Sequence, residues 1–160
     1  MIDGSIVKVH QDATRSDYSK SAEHIGYSVG GLSTKIHAKV DSFGQLLMVE
    51  LTEGQVHESQ VAEHLFAQQR CDYLLADKAY DIDQFRKNLR DHGVEAVIPS
   101  KRNRLFPTSH DKHIYKERNA VERFFQKIKR FRRIATRYDK TSRMYLTGII
   151  FVSILLMLKL

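Results

Sequence analysis

The sequence is poor in the residues that cross-link or interrupt a fold. Its 160 residues include one cysteine, Cys71, and two prolines, Pro99 and Pro107. A lone cysteine excludes an internal disulfide framework and fits a protein of the reducing cytoplasm. Repeats and low-complexity segments are absent from the sequence as well. The length then fits a single domain over residues 1–160.

Long hydrophobic runs are also scarce. The apolar stretch at residues 148–158 is clearly shorter than the roughly 20 residues that span a bilayer. A helix that is apolar on all sides is usually buried against a sheet, so we expect core packing and no membrane contact. No signal peptide is expected either, because Asp3 and Lys8 fall where its apolar core would lie.

Positive charge is in excess. The sequence has 26 Lys and Arg against 19 Asp and Glu, which gives a formal net charge of +7. Such a balance suits a polyanionic partner such as nucleic acid, although it does not by itself identify one.

Hydrophobic patterning in the N-terminal half predicts strands. Apolar and polar residues alternate over residues 2–10 and again over 32–40. Residues 41–44 carry a turn signal and an apolar run follows at 46–51, so a hairpin is predicted. Residues 59–69 have apolar positions at helical spacing and predict the first helix.

A βαβ unit is predicted next. Residues 73–76 are short and apolar without alternation, as in a strand covered on both faces. A helix is predicted over residues 81–92, closed by Gly93, and residues 94–98 form another buried strand. Together with the preceding strands, this unit predicts an α/β fold with a mixed sheet and flanking helices.

The longest helix is predicted over residues 114–137, after a basic loop at 100–113 and before a last helix in the apolar tail. It carries an apolar stripe for the core, formed by Val121, Phe124, Phe125, Ile128 and Phe131. The rest of this helix is strongly basic, with Arg118, Arg123, Lys127, Lys129, Arg130, Arg132, Arg133 and Arg137. A charge run is most often a solvated face, but these cations, Arg123, Arg130 and Arg133 among them, are also candidates to contact DNA phosphates.

Three acidic residues are candidates for one site. Asp77 follows the strand at 73–76 and so lies at its carboxyl end, where α/β sheets usually bind ligands. Asp3 begins the first strand, and Glu122 lies beside the apolar stripe of the long helix, from which it can reach the sheet edge. Converging carboxylates can hold two Mg²⁺ or Mn²⁺ ions for phosphodiester chemistry. Alternatively, Asp77 is a turn residue and Glu122 a solvated helix position.

At this point the sequence resembles a known family. Tyr115, Arg118, Glu122 and Lys129 match the pattern Tyr-x2-Arg-x3-Glu-x6-Lys of DDE transposases of the insertion-sequence family-four superfamily. Four further blocks resemble its family-five group: residues 30–37 (GGLSTKIH), 41–44 (DSFG), 52–57 (TEGQVH) and 76–81 (ADKAYD). The likeness runs from Ile2 to the apolar tail.

The resemblance implies an RNase H-like fold and a catalytic, metal-binding triad of Asp3, Asp77 and Glu122 with two Mg²⁺ or Mn²⁺ ions. It implies that Tyr115, Arg118 and Lys129 assist, with the two cations gripping DNA near the element ends. For Tyr115, an aromatic that covers the core at a helix start is an equal explanation.

The activity implied by the resemblance is cleavage of DNA at the ends of an insertion element and transfer of the 3′-hydroxyls into target DNA. The implied partners are double-stranded DNA and a second copy of the chain on that DNA. The implied location is the bacterial cytoplasm, at the nucleoid.

Two departures from the family bear on activity. A helical DNA-binding segment usually precedes the catalytic domain, and we expect it to be missing here. The first catalytic aspartate usually lies within the first strand, whereas Asp3 has two residues before it, so we expect it at a frayed strand end. The alternative to an active enzyme is therefore a catalytically incomplete fragment that acts only as a DNA-binding or regulatory protein.

Other interpretations stay open. One is an RNase H-like nuclease acting on RNA or hybrid duplexes, and another is a zinc site that includes His110 and His113. His57 and Asp81 lie in family-like blocks near the expected site, and for His57 a loop hydrogen bond is an equal explanation.

Overall fold

The computed structural model describes residues 1–14, 22–67 and 71–158. The strands are β1 (Ile2–Val9), β2 (Gly26–Ser28), β3 (Gly31–Val40), β4 (Leu46–Glu53), β5 (Tyr73–Leu75), β6 (Glu95–Val97) and β7 (Thr136–Arg137). The α-helices are α1 (Ala62–Phe66), α2 (Asp83–Asp91), α3 (Lys112–Tyr115), α4 (Asn119–Ile128), α5 (Arg132–Ala135) and α6 (Ser142–Met157). Short 3-10 turns join several of them.

The larger sheet is mixed and is built around β3. This strand pairs antiparallel with β1, with β2 at its start and with β4 over the rest of its length. The last strand, β7, lies parallel to the end of β1. The hairpin of β3 and β4 follows the sequence prediction, since the Asp41 carboxylate accepts N–H bonds from Phe43 and Gln45 and Gly44 has a φ of 78°.

The βαβ unit forms as predicted, but as a sheet of its own. Strands β5 and β6 pair in parallel through Tyr73–Leu75 and Glu95–Val97, and α2 connects them. Gly93 ends the helix with a φ of 72°. Within the described part of the chain, no strand pairing joins this pair to the larger sheet. The predicted α/β class, a mixed sheet with flanking helices, is confirmed.

The prediction of one helix over residues 114–137 is wrong. The chain forms α3, a 3-10 turn at Lys116–Arg118 and then α4, which ends at Ile128. Phe131 leaves the helix with φ −80° and ψ 108°, so it is 39% exposed and does not continue the apolar stripe.

Long-range contacts end the helix. Arg137 lies fully buried in β7, where its guanidinium donates to the carbonyls of Glu23 and Asp139 and to the Thr34 hydroxyl. A solvated helix would not offer these acceptors, so tertiary contacts override the helical pattern of the sequence.

Two clusters of buried residues make up most of the core. One packs α4 and α6 on the larger sheet and includes Val7, Ile36, Ala38, Val121, Phe124, Phe125, Ile128, Tyr145 and Ile149. The other lies around β5, α1 and α2 and includes Ile2, Leu65, Leu74, Tyr80, Phe85, Leu89 and Ile98. Strand β1 contributes Ile2 to one cluster and Val7 to the other, so it links the two halves of the fold.

Helix α6 is longer than the predicted apolar tail and packs into the core on one side. Tyr145, Ile149 and Val152 are buried, whereas Phe151 and Ile154 are exposed. Among the residues described, no helix is long and apolar enough to cross a membrane. The first predicted helix is shorter than expected, since α1 spans Ala62–Phe66, and predicted residues 68–69 lie outside the described part.

Candidate active site

Asp3 lies in a regularly paired strand. Asp3 pairs with Ala38 of β3, and the strand pairing begins one residue earlier, at Ile2. The N-terminal ammonium of Met1 also donates to the Val40 carbonyl at 2.7 Å. The expectation that Asp3 lies at a frayed end is therefore wrong.

Asp77 is held at the end of β5 by the chain that follows it. It caps the 3-10 turn Lys78–Tyr80, with Oδ1 accepting the N–H of Ala79 at 2.7 Å. The sequence predicted this position at the carboxyl end of a buried strand. The turn conformation fixes where the carboxylate points.

Arg118 connects Asp3 with Glu122. Its Nη1 donates to Asp3 Oδ2 at 2.9 Å, and its Nη2 donates to Oε1 of Glu122, one helical turn along. The guanidinium therefore bridges a carboxylate of β1 and a carboxylate of α4. The Arg118 and Asp3 side chains are 17% and 18% exposed, whereas the Glu122 side chain is 44% exposed. The bridge is therefore shielded from water at Asp3 and open to water at Glu122.

The electrostatics bring Asp77 into the same site. Burial raises the pKa of Asp3 above its usual range, and the nearby negative charge of Asp77 raises it further, while Arg118 and the N–H of Gly4 lower it. Asp3, Asp77 and Glu122, predicted from the sequence to converge, thus share one neighbourhood. Arg118 supplies the positive charge beside Asp3 and Glu122.

A layer of polar groups lies beside Gly4, which pairs with His37 across the sheet. The Lys35 ammonium donates to Glu58 at 2.9 Å and to the Val56 carbonyl at 2.6 Å. His37, two residues along the same face of β3, bonds Thr52 Oγ1 through Nε2 at 2.8 Å. A Cβ added at Gly4 would lie 3.3 Å from Glu58 and 3.4 Å from His37, so a glycine lets this layer approach the strand closely.

The charges of this layer are set by burial and by its own pairs. Burial and the charge of Lys35 lower the pKa of His37 to about 4, so it is neutral near pH 7. Burial opposes ionisation of Glu58, but the hydrogen bond from Lys35 holds its pKa below the usual value.

Tyr80 completes the layer. It is fully buried, and its hydroxyl has no hydrogen-bond partner among the described residues. Burial, together with the charges of Asp3, Glu58 and Asp77, raises its pKa, so the hydroxyl keeps its proton. Glu58 and Tyr80 were not among the residues predicted from the sequence. Tyr80 lies in the 76–81 block, but the pairing of Glu58 with Lys35 spans 23 residues and has no local signal.

Two of the predicted DNA contacts face the protein. The Cζ of Arg118 lies 5.7 Å from the ring centre of Tyr115, whose other neighbour is the His110 ring. Lys129 reaches β1, where Nζ donates to Ser5 Oγ at 2.7 Å and to the Ile6 carbonyl at 3.1 Å. Burial lowers the pKa of Lys129. In this structure, Arg118 and Lys129 hold β1 against α4.

Other cations of this region are exposed to solvent, unlike Arg118 and Lys129. Arg123, Lys127, Arg130, Arg132 and Arg133 are exposed on α4, α5 and their connection, and we call them the basic surface. Arg133 differs from the rest because it donates to both carboxylate oxygens of Asp139. Including Arg137 in the basic face was wrong, because that side chain is buried.

The two remaining candidates have structural partners. His57 caps the 3-10 turn Glu58–Gln60 by accepting the N–H of Ser59 at 3.2 Å, which is the loop hydrogen bond considered as its alternative role. The carboxylate of Asp81 is fully buried and accepts from Arg86 at 2.7 Å and from Arg104 at 2.8 Å. It anchors the loop after β6.

The donor set fits a hard divalent cation, although it is not arranged around one. No group of three or more His, Cys, Asp or Glu in the described ranges has metal-binding geometry. Arg118 instead pairs with Asp3 and with Glu122. Carboxylate oxygens are nevertheless the ligands that Mg²⁺ and Mn²⁺ prefer, and the buried carboxylate of Asp3 already attracts a positive charge.

Comparison with known proteins places this arrangement in a family. The chain matches the family described as "Transposase DDE domain" over residues 1–157. A transposase for insertion sequence element IS6501 of Brucella ovis is 37% identical over 115 residues, which cover 69% of this chain and 86% of the relative. A transposase for insertion sequence element IS402 of Burkholderia cepacia is 36% identical over 72 residues, which cover 45% of this chain and 32% of the relative. No solved structure matches the chain.

The chain belongs to the DDE transposase family of insertion sequences. The resemblance found in the sequence is thereby confirmed at the level of the family. Membership of the family-five group stays a prediction.

Proposed function

We propose that this chain is the catalytic domain of an insertion-sequence transposase, which cuts DNA at the element ends and joins the 3′-hydroxyls to target DNA. One observation carries the proposal. Asp3, Asp77 and Glu122 come from three separate elements, and the charge of Arg118 balances two of them at one place. An acidic cluster of three carboxylates with one arginine, in a chain that also carries a basic surface, suits phosphodiester chemistry on DNA.

Asp3, Asp77 and Glu122 are the residues that would hold Mg²⁺ or Mn²⁺, with two ions expected. When bound, such ions supply activation of the attacking water or 3′-hydroxyl and stabilisation of the leaving oxygen. The chain's own residues position this chemistry. Asp77 is oriented by the N–H of Ala79, and Lys129 fixes the strand of Asp3 through Ser5.

The partner in this proposal is double-stranded DNA, held at its phosphates by the basic surface. Arg123 and Arg130 project into solvent from α4 and from the turn after it, so both can reach phosphates without breaking a core contact. An insertion element has two ends, so we propose that two copies of the chain act together on DNA.

Neutral variants of the acidic residues test the proposal. We expect Asp77→Asn and Glu122→Gln each to abolish cleavage of a labelled duplex carrying the element ends in Mg²⁺ or Mn²⁺, and to leave duplex binding largely intact. Exposed acids nearby supply matched controls, Asp72→Asn before β5 and Glu117→Gln before α4. Loss of binding in step with cleavage would contradict the assignment, as would equal loss in the controls.

A second candidate is a DNA-binding fragment without catalysis. It is favoured by the hydrogen bonds from Arg118 to Asp3 and to Glu122. In the described part of the chain, no group of three or more acidic, His or Cys side chains has metal-binding geometry. Calorimetric titration with Mn²⁺ separates the two. Binding near two ions that an Asp77→Asn, Glu122→Gln double variant loses supports the enzyme, and no binding to a folded chain supports the fragment.

A further inference from the structure

The loop after β6 is closed at its base. Ser100 Oγ donates to the Thr108 carbonyl at 3.0 Å and accepts the N–H of Thr108 at 2.8 Å. Within the loop, the N–H of Arg104 donates to the Lys101 carbonyl at 3.1 Å. The single Ser100 hydroxyl therefore bonds both backbone groups of Thr108, eight residues along the chain, and closes the loop.

A buried carboxylate anchors this loop to the site. Asp81, four residues beyond Asp77, accepts the N–H of Lys101 and the Nη1 of Arg104, each at 2.8 Å. Arg86 completes the anchor, donating to Asp81 and to the Ile98 carbonyl. Burial alone would raise the pKa of Asp81, but these donors hold it below its usual value, so the anchor is charged.

The anchored loop holds two large apolar side chains in water. Leu105 is 89% exposed and Phe106 is 85% exposed. Arg104 fixes their position as well, since its Nε donates to the Phe106 carbonyl at 3.1 Å. Such a tip stabilises nothing within the described fold, whereas a flat aromatic ring on a fixed support suits contact with a partner.

The surroundings indicate the chemistry of that partner. The loop carries Lys101 and Arg102, and Lys112 and His113 follow it, with Asp111 as the acid near its end. A partner that offers both negative charge and flat apolar faces is a nucleic acid whose bases are unstacked. In an intact duplex those faces are covered, so the partner is DNA opened locally.

We infer that Phe106 and Leu105 form an apolar wedge that packs against unstacked bases of DNA held at the Asp3–Asp77–Glu122 site. The inference rests on the proposed function and adds a contact to it. The wedge holds opened DNA beside the acidic site because Asp81 ties its loop to the turn that begins at Asp77.

Two probes test the wedge in the full chain. One is a fully paired duplex, and the other has the same length and sequence except for a short central bubble of unpaired bases. We expect the unaltered chain to bind the bubble duplex about tenfold more tightly than the paired one, as expected from one aromatic–base stack. Phe106→Ala with Leu105→Ala should remove that preference and leave binding to the paired duplex unchanged.

Phe43 supplies the matched control, because it is also 85% exposed but lies in the β3–β4 turn. Phe43→Ala should keep the preference. Equal affinity of the unaltered chain for both probes overturns the wedge, and so does equal loss in Phe43→Ala. A change in oligomeric state in the Phe106 variant, measured by light scattering, also overturns it, because the tip then packs on a second copy. Failure to bind either probe contradicts the proposed function instead.

Discussion

Arg118 and Asp3 lie 115 residues apart in the sequence and meet through a 2.9 Å hydrogen bond between Nη1 and Oδ2. The same guanidinium also bonds Glu122. One cation thus holds the first strand against α4 and covers two of the three carboxylates proposed to bind metal. We therefore expect this arginine, which was predicted to grip DNA, to be a competitor of the divalent ion proposed for the site.

Removing that competitor should strengthen metal binding. We expect Arg118→Gln to bind Mn²⁺ about five- to tenfold more tightly than the unaltered chain, because the lost pair contributes on the order of 1 kcal/mol. Isothermal titration measures the affinity directly. Arg123→Gln removes the same charge from an exposed position of α4 and corrects for the general effect of net charge. Equal affinities in the two variants would show that Arg118 does not compete.

Two buried tyrosines should respond differently to loss of the hydroxyl. Tyr80 has no described hydrogen-bond partner, whereas Tyr145 donates to the Ile134 carbonyl at 2.7 Å. We expect Tyr80→Phe to leave the free energy of unfolding unchanged or raise it, and Tyr145→Phe to lower it by about 1 kcal/mol. Urea unfolding monitored by circular dichroism compares them. A similar loss in both would mean that the Tyr80 hydroxyl is bonded in solution.

Burial of His37 should make the fold sensitive to mild acid. Its pKa of about 4 in the folded chain lies below the ordinary histidine value of about 6.5. As the pH falls through this window, the unfolded chain takes up a proton that the folded chain does not, so stability is lost. Between pH 7 and pH 5 the loss should be roughly 2 kcal/mol.

Urea unfolding of the unaltered chain and of His37→Gln at both pH values tests this expectation. The pH dependence should shrink in the variant and persist in His113→Gln, which changes an exposed histidine. Asp3, whose raised pKa acts in the opposite sense, contributes to all three chains. An unaltered pH dependence in His37→Gln would show that this histidine is protonated in the folded chain.

The cations of the basic surface should contribute unequally to DNA binding. We expect Arg123→Ala with Arg130→Ala to lower the slope of log affinity against log salt by about 2, because each contact with a phosphate releases about one counterion. Arg133→Ala should change the slope less, since its guanidinium already bonds Asp139. Fluorescence anisotropy across a salt series measures the slopes. Equal effects per residue would show that Arg133 leaves Asp139 to bind DNA.

Local sequence patterns are sufficient to predict the elements whose causes are local. Alternation predicted strands β1 and β3, and a turn signal at Asp41 followed by an apolar run predicted β4 and the hairpin. Gly93 predicted the end of α2. The motif spacing identified the family, and it separates Arg118 from Glu122 by four residues, a spacing at which side chains share a helical face. These features depend on contacts within a few residues, which a sequence pattern records.

The partners of the buried charged side chains depend on the tertiary structure. Helix α4 ends at Ile128 because Lys129 bonds β1 and Arg137 enters the core, partners that lie more than 100 residues away. The bond of Arg118 to Asp3, the pair of Lys35 and Glu58 and the loop anchor at Asp81 likewise depend on distant partners. A buried charged side chain is costly unless it is paired with a compensating group. For these side chains, folding brings that group close from a distant part of the sequence.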